Sequence, residues 1–235
     1  PGAVASLLEA ALDVGIDTLD LADIYGDHAT NPLIGDALAS RPGLRQRLNL
    51  LAKVGIVRSS SPGNPRGVQH YDLSVRHLRS ALDTSLRDLQ TDHVDVLMLH
   101  RFDPLMEPAA IADWVREEQV AGRVGAFGVS NFGAHALALF DGKLDIVGNQ
   151  VELSLANSNV IDDGTLDATR ARGADVQAWS PLGGGGLLQP PAALGDVLRS
   201  LGGEFGLDTA SLLLRWVASV PGTRVVIGST DAARI

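Results

Sequence analysis

The chain contains no cysteine. That excludes a disulfide-stapled scaffold, a thiolate zinc site and a thiol nucleophile. No apolar run approaches the roughly 20 residues that a membrane-spanning helix needs, so no membrane partner is expected. No signal-peptide pattern opens the chain, and the expectation is a cytoplasmic protein. Because it begins at Pro1 rather than Met, a leader upstream stays open. Basic charge is scarce: 19 Lys and Arg stand against 28 Asp and Glu, for a net charge of −9. A surface that acidic argues against nucleic acid as the main partner. Lysine is scarcer still. Lys53 and Lys143 are the only two among 19 basic residues, which leaves 17 arginines. No G-x-G-x-x-G follows the first strand-like run, which weakens a doubly wound nucleotide-binding reading. No H-E-x-x-H or comparable spacing occurs, so no metal site is expected.

What is there is apolar side chain in quantity. Of 235 residues, 45% are hydrophobic and 20% charged, enough for a sizeable core and of a size usual for one α/β barrel domain. Val4, Leu7, Leu8, Ala11 and Leu12 follow the spacing of an amphipathic helix. Short, nearly continuous apolar runs then recur at Thr18–Ala22, Leu48–Val54, Val94–Leu99, Val124–Val129, Ile146–Glu152, Asp175–Trp179 and Arg224–Gly228. Such runs are expected of parallel strands covered on both faces. Helical stretches separate them. Ser74 and Asp208 stand where helix N-caps belong, Pro108 where a helix can begin, and Gly122 where one can stop. The run Ser59–Gly67 (SSSPGNPRG) carries a loop signal. Seven strands are one short of the eight that close a barrel. The pattern predicts an α/β chain, a (β/α)8 TIM barrel lacking its first strand and last helix. No linker divides it, so residues 1–235 are expected to form a single domain, a piece of a longer chain.

Barrel chemistry sits where strands lead into helices. There the first run ends LDLADIYG, with Asp20 in the strand and Tyr25 just beyond. The second ends LLAKVG, placing Lys53 where an uncompensated ammonium would be costly. A chain that otherwise prefers arginine uses lysine here, whose pKa responds to burial. The third ends DVLMLHR, with His100 at its close. Each has an ordinary structural reading: a cap, a packed aromatic, a lysine reaching the rim, a histidine held by the backbone. Together they compose a proton-donating group for a carbonyl oxygen. Lys53 is expected to lower the Tyr25 pKa, Asp20 to orient Lys53, and His100 to bond the substrate oxygen.

A proton alone does not reduce a carbonyl, and side chains supply no hydride. The later strand ends offer a dinucleotide site. Ser130 and Asn131 close FGVSNFG and could hold a carboxamide; Gln150 lies inside GNQVELS. Trp179, in QAWSPLGGGG, could stack on a planar ring, and Gly183 to Gly186 could let backbone approach a pyrophosphate, or hinge a lid. Arg234 could pair an extra phosphate.

These motifs, in this order from residue 4 to the end, resemble the aldo-keto reductases, most closely their bacterial YdhF-like branch. The resemblance implies a barrel that reduces aldehydes or ketones with NADPH, NAD being left open, acting on a small-molecule carbonyl substrate. It implies Tyr25 as proton donor, Lys53 and Asp20 as the pair that tunes it, and His100 as the residue that orients the substrate. It further implies Ser130, Asn131 and Gln150 at the nicotinamide carboxamide and Trp179 against its ring. Ser180, Leu182 and Gly183 match the pyrophosphate loop, and the stretch from Gly228 through Ser229 and Thr230 to Arg234 matches the adenosine-phosphate end. Where the family often has lysine near that phosphate, this chain has Asp231 nearby, which weakens the preference for NADP. Two other classes compete. One is a nicotinamide-nucleotide-binding regulatory module without turnover. The other is a Schiff-base lyase with Lys53 as nucleophile, disfavoured because Asp20 and Tyr25 would keep the amine charged.

Overall fold

The computed structural model describes residues 1–65 and 67–235. Arg66, inside the expected Ser59–Gly67 loop, lies outside the described residues. The chain divides into two compact units: residues 1–130, 139–146 and 229–235, and residues 131–138 and 147–228.

The first unit opens with helix α1 (Gly2–Asp13), which buries Ala5 and Leu8. Strand β1 (Thr18–Ala22), helix α2 (Thr30–Ala39) and strand β2 (Asn49–Val54) follow. A short antiparallel pair, β3 (Ile56–Val57) and β4 (His70–Tyr71), then brackets the Ser59–Gly67 run. Helix α3 (Val75–Leu89), strand β5 (Val94–Leu99), helix α4 (Pro108–Val120) and strand β6 (Val124–Ser130) complete the alternation. The strands pair in parallel in the order β1-β2-β5-β6. In β2 continuous burial explains the continuous apolarity: Leu50, Leu51, Ala52 and Val54 are all buried.

The boundaries have identifiable causes. Ser74 Oγ accepts the His77 N–H at 3.3 Å, capping α3. Pro108 is the first residue of α4, where its missing N–H costs nothing. Gly122, with φ 73°, carries the chain out of that helix. Gly35 lets α2 approach α3: a Cβ there would lie 2.2 Å from the Asp88 carbonyl oxygen. Buried Glu118 accepts the Trp114 indole N–H at 2.8 Å and pairs with Arg79 and Arg123, each at 3.1 Å. That network ties α3 and α4 to the turn before β6.

The second unit contains α5 (Ala134–Ala138), β7 (Gly148–Glu152), α6 (Asn159–Asp162), α7 (Thr165–Arg170), β8 (Asp175–Trp179), α8 (Ala192–Phe205), α9 (Thr209–Ala218) and β9 (Thr223–Val225). Strands β7, β8 and β9 pair in parallel in that order. Val151, Leu166 and Val176 form one part of its core; Leu153, Ala178 and Val217 form another. Asp208 caps α9 by accepting the Ser211 N–H at 2.6 Å. Four parallel strands in one unit and three in the other match the seven expected.

The last strand corrects the sequence reading. It was expected over Arg224–Gly228 but spans Thr223–Val225. The Val226 N–H still donates to the Ala178 carbonyl at 2.9 Å. Ile227 is then 40% exposed, so the apolar run outlasts the pairing. Among the described residues, no helix is long and apolar enough to cross a membrane.

Candidate active site

Strand order brings the first three candidates together. β2 lies between β1 and β5. Asp20 is the third residue of β1, Lys53 the fifth of β2, and His100 the first beyond β5. The Asp23 N–H donates to the Lys53 carbonyl at 3.2 Å, and the Tyr25 N–H to the Ala22 carbonyl at 3.1 Å. The chain leaving β1 therefore turns at the end of β2 and brings Tyr25 to Lys53. Lys53 has 0% exposure, and its ammonium hydrogen-bonds Asp20 Oδ1. The same ammonium lies 5.1 Å from the centroid of the Tyr25 ring. The Tyr25 and His100 rings meet edge to face, 5.9 Å apart at 83°. All four residues thus form one cluster within the first unit.

The electrostatics depart from expectation at Tyr25. Its pKa is pushed above the ordinary phenol value, not below it: burial dominates, the Asp20 carboxylate adds to the rise, and the Arg101 guanidinium opposes it. Burial is the first reason, and pairing the second. Lys53 sits against Asp20, whose negative charge offsets the ammonium's field at the phenol. Tyr25 is accordingly a protonated phenol across the working pH range, which a proton donor must be. Burial lowers the Lys53 pKa, and Asp20 works against that shift. His100 is pushed down to about 3, by burial first and then by Lys53 and Arg101. It is neutral at physiological pH, so it can offer a hydrogen bond without adding charge.

Two residues matter more than the sequence suggested. Arg101, the last residue of the DVLMLHR run, bears electrostatically on both Tyr25 and His100. Asp23 is the second. Its Oδ1 is buried with no hydrogen-bond partner among the described residues, and burial raises its pKa to about 7. The one signal in the sequence was a second carboxylate in the LDLADIYG run.

The second unit holds most of the expected cofactor residues. Gln150 is buried in β7, and its Nε2 donates to Gln177 Oε1 at 3.3 Å. Trp179, the last residue of β8, donates its indole N–H to Asn131 Oδ1 at 3.0 Å. Asn131 and Ser180 both take left-handed backbone, with φ 60° and 54°. Such a residue costs roughly 1–2 kcal/mol outside glycine and recurs at ligand sites. Leu182 precedes a helical turn over Gly183–Leu188, in which Gly184 and Gly185 have φ 62° and 90°. Ser180 Oγ accepts the Gly184 N–H at 2.7 Å. A Cβ at Gly185 or Gly186 would meet nothing within 4 Å. Glycine there leaves the backbone bare to an incoming group rather than relieving internal crowding. That fits a pyrophosphate.

Ser130, Ser229, Thr230 and Arg234 lie in the first unit, and Gly228 closes the second. Ser130 is buried at the end of β6. The tail from Ser229 onward is a capped turn: Ser229 Oγ donates to the Asp231 carbonyl at 3.0 Å, and Asp231 Oδ1 accepts the Ala233 N–H at 3.0 Å. Asp231 also pairs with Arg234 at 3.2 Å, both exposed. An exposed pair of this kind contributes little to stability. Gly228 and Thr230 are both exposed.

The chain is similar to known proteins along essentially its whole length. The family model described as "Aldo/keto reductase family" matches residues 2–235, a span that runs through both units. A 6-dehydroglucose reductase of Agrobacterium fabrum is 35% identical over 241 residues, covering 100% of this chain and 80% of that protein. The oxidoreductase YdhF of Escherichia coli is 35% identical over 238 residues, covering 99% of this chain and 79% of that one. Among solved structures, an aldo-keto reductase of Klebsiella pneumoniae in complex with NADPH superimposes with a TM-score of 0.81 at 24% identity. It covers 99% of this chain and 76% of that one. The fold is therefore the β/α barrel type of those enzymes.

Proposed function

The chain belongs to the aldo/keto reductase family, and we propose that it reduces an aldehyde or ketone to an alcohol, with NADPH as cofactor and Tyr25 as proton donor. One observation carries this reading: fully buried Lys53 is bonded to Asp20 beneath the Tyr25 ring, with His100 at that ring's edge. No structural need explains an ammonium, a carboxylate, a phenol and an imidazole converging at the end of a parallel sheet.

The residues then have distinct tasks. His100, neutral, donates a hydrogen bond to the substrate carbonyl oxygen and fixes its position. Bound NADPH supplies the hydride. As charge develops on the oxygen, Tyr25 gives up its proton. The Lys53 ammonium steadies the resulting phenolate, and Asp20 holds Lys53 in place. Charge stabilisation in a buried site is worth far more than in water. Asn131, Gln150 and Trp179 hold the nicotinamide, Ser180 to Gly186 the pyrophosphate, and Ser229, Thr230 and Arg234 the adenosine end. The presence of Asp231 leaves NADH as a weaker second cofactor. Small-molecule carbonyl compounds in the cytoplasm are the expected substrates.

Tyr25→Phe tests the reading. With NADPH and 4-nitrobenzaldehyde, turnover should fall at least 10²-fold, while quenching of tryptophan fluorescence by NADPH is unchanged. Retained kcat would remove Tyr25 from the mechanism. Binding of NADPH by the parent protein without single-turnover oxidation would favour the regulatory-module alternative.

A further inference from the structure

Three successive residues after Tyr25 take left-handed backbone: Gly26, Asp27 and His28, with φ 59°, 54° and 72°. Two of them are not glycine. Such a conformation persists only where surrounding groups hold it. Here they come from the Arg58–Ser61 segment that follows β3 and from the Asp23 carbonyl. Ser60 Oγ donates to Asp27 Oδ1 at 2.6 Å. His28 Nε2 lies 3.1 Å from Ser61 Oγ, and its Nδ1 lies 2.7 Å from the Asp23 carbonyl oxygen. A carbonyl only accepts, so Nδ1 carries the hydrogen and Nε2 accepts the Ser61 hydroxyl. Ser61 Oγ in turn accepts the Arg58 N–H at 2.9 Å. Arg58 reaches the Ile24 carbonyl at 3.5 Å and Asp27 at 3.9 Å.

Tyr25 is thus bracketed. The carbonyl of Ile24 on one side and the side chains of Asp27 and His28 on the other are bonded to the same four-residue segment, while His28 also ties back to Asp23. That segment is the continuation of the strand that carries Lys53, five residues before Arg58. We propose that Arg58–Ser61 is a clamp that sets the position of Tyr25 over Lys53, with His28 and Ser61 as positioning residues. The clamp rests on the reductase reading for its effect on rate, but its effect on Tyr25 is observable without turnover.

Only two tyrosines occur, Tyr25 and Tyr71. Labelling with 3-fluorotyrosine therefore gives two ¹⁹F resonances, and Tyr71→Phe assigns them. The parent should show one sharp Tyr25 line; Ser60→Ala/Ser61→Ala should broaden or split it. With NADPH and 4-nitrobenzaldehyde, the double variant should lose about tenfold in kcat, with KM and the NADPH dissociation constant changed less than twofold. Adding Asp27→Gly relieves the left-handed backbone without the clamp and should restore at least a third of the parent kcat. His28→Ala should reproduce the line broadening. An unchanged Tyr25 resonance in the folded double variant overturns the clamp, whether or not the parent turns over. An inactive parent with an altered resonance overturns the reductase reading alone.

Discussion

Substituting Asp23 by Asn should convert a pH-dependent stability into a flat one. In the folded chain burial holds the Asp23 carboxyl near pKa 7, against 3.8 for an ordinary aspartate. Between those values the folded protein binds a proton that the unfolded chain releases. Stability is therefore fully present below about pH 4 and is lost as pH rises toward 7. The difference corresponds to about 4 kcal/mol, a large part of the total for most domains. Asparagine stays neutral, so Asp23→Asn escapes the loss. Any packing cost of the amide is a constant offset; the pH dependence is the signal. His100 titrates in the opposite sense, its lowered pKa costing stability as pH falls from about 6.5 toward 3. Both proteins carry it, so it cancels in the comparison. Urea unfolding followed by tryptophan fluorescence at pH 4.5, 6 and 8 measures the effect. The variant should gain on the parent by about 1, 3 and 4 kcal/mol at those values, apart from the constant offset. A difference that stays the same at all three would show that the carboxyl is already ionised at low pH in the folded chain, and would refute the argument from burial.

Other consequences are sharper but narrower. Gly35→Ala places a methyl 2.2 Å from the Asp88 carbonyl oxygen, so α2 must withdraw from α3. A loss of about 1–3 kcal/mol in urea unfolding is expected, and a neutral result would mean that the two helices separate freely. Because His100 is neutral down to about pH 3, kcat/KM should show no imidazole titration between pH 5 and 8. An inflection near 6.5 that disappears in His100→Asn would contradict its buried, uncharged state.

Much of this arrangement was legible in the sequence where one physical cause dominates. Short runs rich in apolar residues between turn signals mark strands, so Thr18–Ala22, Val94–Leu99 and Asp175–Trp179 are strands with the bounds expected. The final strand was overread because Ile227 is apolar yet substantially exposed; hydrophobicity reports burial only when something covers the residue. Lys53 stood out because lysine is rare in this chain. The acidity of Tyr25 did not, since its sign depends on a balance among burial, Asp20 and Arg101 that only distances settle. The segment over Tyr25 was equally hidden. His28 and Ser61 are 33 positions apart, and Asp27 and His28 turn left-handed without the glycine that would announce it.

The four side chains assigned to proton delivery all fall from residue 20 to residue 100, within one compact unit and on or just beyond three neighbouring strands. That has an evolutionary consequence. Recombination with a crossover beyond Arg101 would exchange every later strand and loop yet inherit the proton donor, its tuning pair and its aromatic neighbour as one uninterrupted block. Substrate range could then diversify among descendants while the acid chemistry passed between them untouched.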